Sequence, residues 1–383
     1  IITMNEMIYF DCASTVKPFQ EAIQTFEKVS IEDFANASSN HKLGFQCSSL
    51  LEKARAQIAK YLKVLPEEVI FTSGASEGNN LAIKGVSYHN RSWGRKIITT
   101  KAEHPSVLEV FHELEKEGFE VIYLDYDEEG KIDLEQLSSS LDERVSLVSV
   151  MAVNNEVGYC FPIHEIYQLV KEKSRALLHV DATQAIGKEN LSSSDYDLMT
   201  FSGHKIGGLK GSGALIKKKG IILEPQILGG EQESGLRAGT TPLGLDCSLA
   251  TALRLSLLSK EERRKNAASL KEYLKEELKK IPEVIITSPV SSTPFILSFA
   301  LTVHKGSVIA EALSNEGIYV STKSACSSRE AGYSYVLKNA GYDEKVASNG
   351  IRLSFSGYET LEQGKDFIDS LKRILNTIKV KEV

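Results

Sequence analysis

Lys205 closes the strand-like run Asp197-Leu-Met-Thr-Phe-Ser-Gly-His-Lys205 and is followed by Ile206, Gly207 and Gly208. A lysine at a glycine-flanked strand end can approach an aldehyde closely. Partial desolvation and cationic neighbours would free its amine to form a Schiff base there. Taken alone, the stretch also suits a surface lysine beside a turn, which is the commoner case. Asp181 changes the balance, because it ends the apolar run Ala176-Leu-Leu-His-Val-Asp181. Ligands of open α/β sheets gather at strand C-termini, and a carboxylate there can keep a pyridine nitrogen protonated, making the ring an electron sink. By itself Asp181 could be a helix cap. Gln184, three residues on, can share a helical face with it and reach a phenolic oxygen.

The remaining pieces suit an anionic ring compound and an amino-acid substrate. Phe71-Thr-Ser-Gly-Ala-Ser-Glu-Gly-Asn-Asn80 leads from a strand through glycine into a helix, so the amides around Ala75 and Ser76 would face an anion, aided by the helix dipole. Many βα turns of this kind bind nothing. Ser202 and His204 flank the lysine and can add phosphate contacts. The segment Gly229-Gly-Glu-Gln-Glu-Ser-Gly-Leu-Arg-Ala-Gly-Thr240 offers Thr240, or else is a flexible loop. His104 follows the run Lys96–Thr100 and can stack on a ring, or simply open a helix. Arg352, inside the apolar run Gly350–Phe355, either pairs with a protein carboxylate or clamps a substrate carboxylate with its fork of donors.

These residues need a frame, and the pattern between them supplies one. Seven β-rich runs occur at Glu68–Ser73, Lys96–Thr100, Glu120–Asp125, Arg144–Val153, Ala176–Asp181, Asp197–Ser202 and Gly213–Lys218. Several are continuously apolar, as strands covered on both faces must be. Helical patterns alternate with them. In His104–Glu117, Pro105 marks the start and Gly118 the end. The expectation is an α/β domain with a mostly parallel seven-stranded sheet. Ser248 to Ile281 reads as one long helical stretch bridging to a smaller α+β domain. That domain would use Phe295–Leu301, Gly306–Glu316, Ile318–Ser321, Ile351–Phe355 and a closing helix near Thr360–Ile378. The strand Ile8–Asp11 is left to pair with either domain. The division expected is 15–258 for the large domain and 259–383, with 1–14, for the small one.

The chain has 383 residues and a formal net charge of -6, which argues against a broad basic surface for nucleic acid. No run of eighteen apolar residues is present, so no membrane span is expected, and residues 1–10 do not resemble a signal peptide. Residues 1–3 are read as vector-derived or processed, with Met4 or Met7 as candidate starts. Five scattered cysteines, Cys12, Cys47, Cys160, Cys247 and Cys326, suggest neither a disulfide framework nor a metal site. A cytoplasmic location and no metal are the expectations.

Phe71-Thr-Ser-Gly-Ala-Ser-Glu, Val153-Asn-Asn-Glu-Val-Gly158, His179-Val-Asp-Ala-Thr-Gln184 and Ser202-Gly-His-Lys205 together resemble the cysteine desulfurases, class V enzymes of the fold-type I pyridoxal 5'-phosphate group. The similarity runs in order from about Tyr9 to about Gly357. It implies that Lys205 carries the coenzyme imine, Asp181 pairs with the pyridinium and His104 stacks on the ring. Asn155 and Gln184 would approach the phenolic oxygen, and Ala75, Ser76, Ser202 and His204 the phosphate. Thr240 would reach the phosphate of the neighbouring subunit of a homodimer, and Arg352 would take the carboxylate of L-cysteine, with Asn155 as a further substrate-binding residue. Val320-Ser-Thr-Lys-Ser-Ala-Cys-Ser-Ser328 is similar to the family's catalytic-cysteine loop and makes Cys326 the sulfur acceptor. The α-proton base would be Lys205 or His104. The implied partner is a sulfur-acceptor protein, either an iron–sulfur scaffold or a tRNA- or cofactor-thiolation enzyme.

The sequence departs from the family pattern at Ser76, Glu231, Ser234, Lys323 and Ser14-Thr-Val-Lys-Pro18, which bears on partner choice and rate. A selenocysteine lyase, or another class V lyase or aminotransferase, is the nearest alternative. A sulfur carrier without turnover has no use for Lys205 and Asp181.

Overall fold

The computed structural model describes residues 7–322 and 332–378. Lys323 and Cys326, two of the sequence-stated positions of interest, lie outside the described residues. The first part of the chain runs β1 (Ile8–Tyr9), α1 (Gln20–Glu32), α2 (Lys42–Leu62), β2 (Val69–Thr72), α3 (Ala75–Asn90), β3 (Lys96–Thr100), α4 (Pro105–Lys116), β4 (Glu120–Leu124), α5 (Leu134–Ser140), β5 (Val145–Met151), α6 (Ile163–Lys173), β6 (Leu177–Asp181), β7 (Leu198–Ser202) and β8 (Gly213–Lys217). The seven strands after β1 form one sheet in the order β2-β8-β7-β6-β5-β3-β4. All neighbours are parallel except β8, which runs antiparallel to both β2 and β7. Each strand coincides with one of the seven predicted runs to within two residues at either end.

Burial explains why continuous apolar runs became strands here. In β3 the side chain of Ile97 belongs to a buried cluster that includes Leu81, Ile83, Val107 and Phe111 of α3 and α4. Its neighbour Ile98 belongs to the larger core on the opposite face, which also holds Ile58, Ile166 and Leu249. Successive strand residues point to opposite faces, so a sheet covered on both sides needs an apolar residue at nearly every position. α4 starts where Pro105 predicts, with His104 Nδ1 accepting the Ser106 N–H at 3.1 Å as N-cap, and it stops before Gly118, whose φ is +88°.

The chain continues through α7 (Leu243–Leu258), α8 (Lys260–Lys279), β9 (Val284–Ile286), β10 (Ile296–Leu301), α9 (Gly306–Asn315), β11 (Ile318–Tyr319), β12 (Ser321–Thr322), α10 (Tyr335–Asn339), α11 (Glu344–Ser348), β13 (Gly350–Ser354) and α12 (Leu361–Thr377). The single helical stretch expected from Ser248 to Ile281 is two helices. They break at Ser259, whose N–H caps Leu255 O while its carbonyl begins the next helix by accepting the Arg263 N–H. Serine is compatible with a helix interior, so periodicity gave no sign of the break. The break lets α7 stay on the large core while Leu270, Leu274 and Leu278 of α8 join a second one. That second core lies against an antiparallel sheet of order β12-β13-β10-β9.

Ile318–Ser321, expected as one strand, is likewise split. Ile318 and Tyr319 pair in parallel with Ile8 and Tyr9, whereas Ser321 and Thr322 pair with Arg352 and Ile351. The N-terminal strand therefore joins the smaller unit, and Asp11 bridges to Ser354. Residues of α10 and α11 cross back, with Val336, Leu337 and Ala347 buried in the large core. Among the described residues no helix is long and apolar enough to cross a membrane.

One buried ion pair fixes the segment 229–240. Arg55 of α2 grips both carboxylate oxygens of Glu233 at 2.8 Å and also donates to Val69 O at 2.6 Å. The Phe71 N–H adds a further bond to Glu233 at 2.8 Å. Glu233 and the following Ser234 have φ of 48° and 57°, a left-handed conformation that costs a non-glycine residue free energy and persists where surroundings enforce it. Replacing Arg55 with Met leaves the Glu233 carboxylate buried and without its cation, so unfolding stability in urea should drop by roughly 3–5 kcal/mol. The double variant Arg55→Met with Glu233→Met should recover part of that loss. Equal losses in both variants would mean that the pair is not what holds the segment.

Candidate active site

At the C-terminal ends of β3, β5, β6 and β7 and the N-terminus of α3 lies a cavity of about 280 Å³. Its wall includes Ala75, Ser76, His104, Asn155, Asp181, Gln184, Ser202, His204, Lys205 and Arg352, ten positions singled out from sequence. Parallel strands all deliver their C-termini to one edge, which is why the residues from Ala75 to Lys205 meet here, while Arg352 reaches the same cavity from β13 of the smaller sheet.

Asp181 ends β6 and is buried. Its Oδ2 accepts from Asn79 Nδ2 at 2.9 Å and its Oδ1 from the Thr183 N–H at 3.0 Å. A buried carboxylate needs such donors, and each oxygen retains further acceptor capacity for a ligand. Lys205 follows β7 in a short 3-10 turn, and its Nζ donates to the carbonyls of Ala13 and Ser14 at 2.6 and 2.7 Å. The glycine after it is required by packing. Gly207 has φ +82°, and a Cβ there would lie 2.4 Å from the Phe19 ring.

The anion end is built where two backbone segments nearly touch. Gly74, with φ +153°, precedes α3, and a Cβ on the adjacent Gly213 would lie 2.6 Å from the Gly74 Cα. Ser202 Oγ accepts the Ala75 N–H at 2.7 Å, which leaves its own hydroxyl proton to point at a ligand. His204 bonds through Nδ1 to Thr15 Oγ1 at 3.2 Å. Burial, with Lys205, Lys210 and Lys188 nearby, pushes its pKa down to about 4. A neutral imidazole there is a hydrogen-bonding group rather than a counter-charge.

His104 lines the cavity, exposed to solvent yet partly enclosed by protein. The enclosure lowers its pKa, Asp181 and Glu156 oppose that shift, and Lys205 reinforces it. Arg352 projects from β13 onto the same wall. Its Nη2 is taken by Asp11 Oδ1 and Ser14 Oγ, both at 2.7 Å, and Nη1 by Asn155 O at 2.8 Å. The protein-carboxylate pairing considered for this arginine is thus present, and the guanidinium still borders the cavity. Thr240 is exposed and is not part of this cavity.

Four residues escaped the sequence reading. Asn79 holds Asp181, and its Oδ1 in turn accepts from Thr200 Oγ1, which contacts His179 Nε2 at 3.3 Å. Glu103, fully buried, accepts from Thr100 Oγ1 at 2.7 Å and from the Met151 N–H at 2.9 Å. Burial pushes its pKa up to about 8, with the Asp181 charge adding to the shift. Tyr335 donates to Glu103 O at 2.5 Å and lines the cavity. Lys188 is buried against Gln184. Asn79 was inside a quoted motif, so its helical spacing from Ala75 was the available signal. The other three carry no local mark.

The donor set suits an aldehyde, a pyridine ring and a phosphate: an amine, a buried carboxylate with two donors, and a helix N-terminus beside a hydroxyl. Comparisons agree with that chemistry. The aminotransferase class-V family model matches residues 8–367. A "NifS/IcsS protein homolog" of Lactobacillus delbrueckii subsp. bulgaricus is 40% identical over 96% of this chain and 97% of its own length. "Cysteine desulfurase IscS" of Dictyoglomus turgidum is 36% identical over 98% and 96%. Among solved structures, a "NIFS-LIKE PROTEIN" superposes with a TM-score of 0.92 at 35% identity, covering 97% of this chain and all of that one. The structure described as "SspA in complex with cysteine" gives 0.81 at 29% identity over 92% and 100%.

His179, in the middle of β6, carries a pH signature. It is fully buried between Ser149 Oγ at 2.8 Å and Thr200, and burial pushes its pKa down to about 4 despite Asp181. Unfolding lets it bind a proton below its ordinary pKa, so its contribution is intact above about pH 6.5 and falls as pH drops toward 4. Between pH 7 and pH 5 the parent should lose about 2 kcal/mol of stability relative to His179→Gln. Parallel curves for the two proteins would show that the imidazole titrates freely.

Proposed function

The chain belongs to the class-V aminotransferase family, and on that premise we propose that it is a pyridoxal 5'-phosphate-dependent cysteine desulfurase, converting L-cysteine to L-alanine and passing the sulfur to Cys326. The observation that carries this reading is the single cavity in which the Lys205 amine, the Asp181 carboxylate, the anion end and Arg352 meet. When bound, the coenzyme supplies an electron sink for the pair left on the substrate carbon.

The residues divide the remaining work. Lys205 holds the coenzyme at its aldehyde carbon, and Asp181, itself pinned by Asn79 and Thr183, keeps a proton on the ring nitrogen. His104 covers the ring, while Asn155 and Gln184 serve the phenolic oxygen. Ala75, Ser76, Ser202 and His204 receive the phosphate. Arg352 takes the substrate carboxylate, which must share the guanidinium with Asp11 and Ser14. Lys205 or His104 moves the α-proton, and the lowered pKa of His104 favours the neutral form that can accept one. The Cys326 thiolate then attacks the substrate sulfur. An S–S bond forms as the carbon–sulfur bond breaks, and the carbon skeleton gains a proton and leaves as alanine. Burial supports this choice of thiol by raising the pKa of Cys12 well above its ordinary value and that of Cys247 to about 12, which leaves both poor nucleophiles.

Thr240 is assigned to the phosphate of a neighbouring subunit in a homodimer, which its exposure outside the chain's own cavity supports. The division into 15–258 and 259–383 with 1–14 is supported by the two cores, with α10 and α11 as the exception. The acceptor is a protein of iron–sulfur assembly or thiolation, in a reducing cytoplasm, in keeping with the free cysteines among the described residues.

Two variants separate the roles. Lys205→Ala should lose both the coenzyme's visible absorption band and turnover. Cys326→Ser should keep the band yet lose sulfide release from cysteine with a reductant by about 100-fold or more. Release at the parental rate by the serine variant would remove Cys326 from the reaction.

A further inference from the structure

Lys188 is a buried cation that the chemistry above does not use. The chain after β6 makes a tight helical turn, with the Ala185 and Ile186 N–H groups both reaching Ala182 O at 2.9 Å. The Lys188 N–H then reaches Ala185 O, also at 2.9 Å. This turn puts Gln184 and Lys188 four residues apart on one face. It closes at Gly187, where φ is +73° and a Cβ would lie 2.1 Å from Ser256 Oγ, so that position admits glycine alone. Both side chains are buried, each 4% exposed. Lys188 Nζ donates to Gln184 Oε1 at 3.0 Å, Gln184 Nε2 donates to Ala13 O at 2.9 Å, and the same carbonyl accepts Lys205 Nζ at 2.6 Å.

A buried glutamine amide fits either way round by shape, and its partners decide the orientation. Here both partners are one-sided. The Ala13 carbonyl can only accept, and the Lys188 amine, when protonated, can only donate. The oxygen must therefore face Lys188 and the nitrogen Ala13. One Nε2 hydrogen remains, on a side chain that lines the coenzyme cavity. A leucine would fill the space behind Gln184 without the penalty of burying an amine. That penalty is visible in the Lys188 pKa, pushed down to about 7 by burial and by Lys205, Arg263 and Arg352, against the opposing effect of Cys12. Cys12 in turn bonds to Glu359 at 3.4 Å. The one hydrogen bond the Lys188 amine makes among the described residues is to Gln184.

We propose that Lys188 is a positioning residue for the coenzyme: it locks the Gln184 amide with its nitrogen toward the cavity and so sets the hydrogen-bond donor for the phenolic oxygen. The proposal rests on the assignment of Gln184 to that oxygen. Losing the donor makes the coenzyme's own proton harder to remove, so the pH midpoint of its visible band should rise.

The test titrates that band in coenzyme-loaded parent, Lys188→Met, Gln184→Leu and the double variant, with thermal melts of the coenzyme-free proteins as a control for folding. Lys188→Met and Gln184→Leu should each raise the midpoint by roughly half a pH unit or more. The double variant should match Gln184→Leu, because a residue acting through Gln184 has nothing left to position. Lys188→Arg keeps a donor and should stay near the parental midpoint; it carries the test if the methionine variant does not fold. A shift in Gln184→Leu without one in Lys188→Met, or additive shifts in the double variant, overturns the role of Lys188 and leaves the site reading intact. A similar displacement in Lys188→Arg and Gln184→Leu overturns it too. A parent that shows no visible band with added coenzyme overturns the site reading itself.

Discussion

A carboxylate buried at the end of the central strand is the constraint around which the rest is arranged. Asp181 cannot stay charged in that position without donors, because desolvating an ion costs several kcal/mol in a protein. Asn79 and the Thr183 amide provide them. Asn79 in turn ties α3 to Thr200 of β7 and, through Ser106 Oγ at 2.9 Å, to the first turn of α4. The same bonds that stabilise the ion therefore fix the helix that presents Ala75 and Ser76 and the helix capped by His104. Site geometry and fold stability share one set of contacts.

A second knot joins the two cores. Arg263 of α8 donates to Gly187 O at 2.6 Å, to Ser256 O at 2.7 Å and to Ser356 O at 3.0 Å. It thereby links the turn after β6, the end of α7 and the segment after β13. Arg352, three residues from Phe355 in the small core, does the corresponding work at the cavity through Asp11, Ser14 and Asn155. These arginines suit the task because a planar fork of donors can serve several acceptors at once without needing a proton from outside. The amino-terminal residues 11–14 matter for the same reason. Their carbonyls and side chains serve Arg352, Gln184 and Lys205 together.

Opposing titrations are built into the buried polar layer. Burial drives His179 and His204 down, keeping them neutral, and drives Glu103 up toward its protonated form. The formal charge of the layer therefore rests on Asp181 and on the lysines and arginines around it. The neutral groups let these charges act over a longer range, since little around them responds.

Much of this was legible in the linear chain. Runs apolar at every position announced strands buried on both faces, and glycine, proline and small polar residues marked where they ended. Those ends held Asp181, Lys205, Ala75 and His104, because parallel topology sends every such end to one edge of the sheet. What the chain alone could not reveal depended on contacts between distant segments. The break at Ser259 follows from two cores competing for one helical stretch, the Arg55–Glu233 pair joins residues of α2 and a later loop, and Arg352 meets Asp11 across 341 positions of sequence. Periodicity and spacing describe a residue's own neighbourhood. Whether a buried lysine such as Lys188 or an acid such as Glu103 acquires a partner depends on which remote groups packing brings within about 3 Å, and that was decided by the tertiary structure.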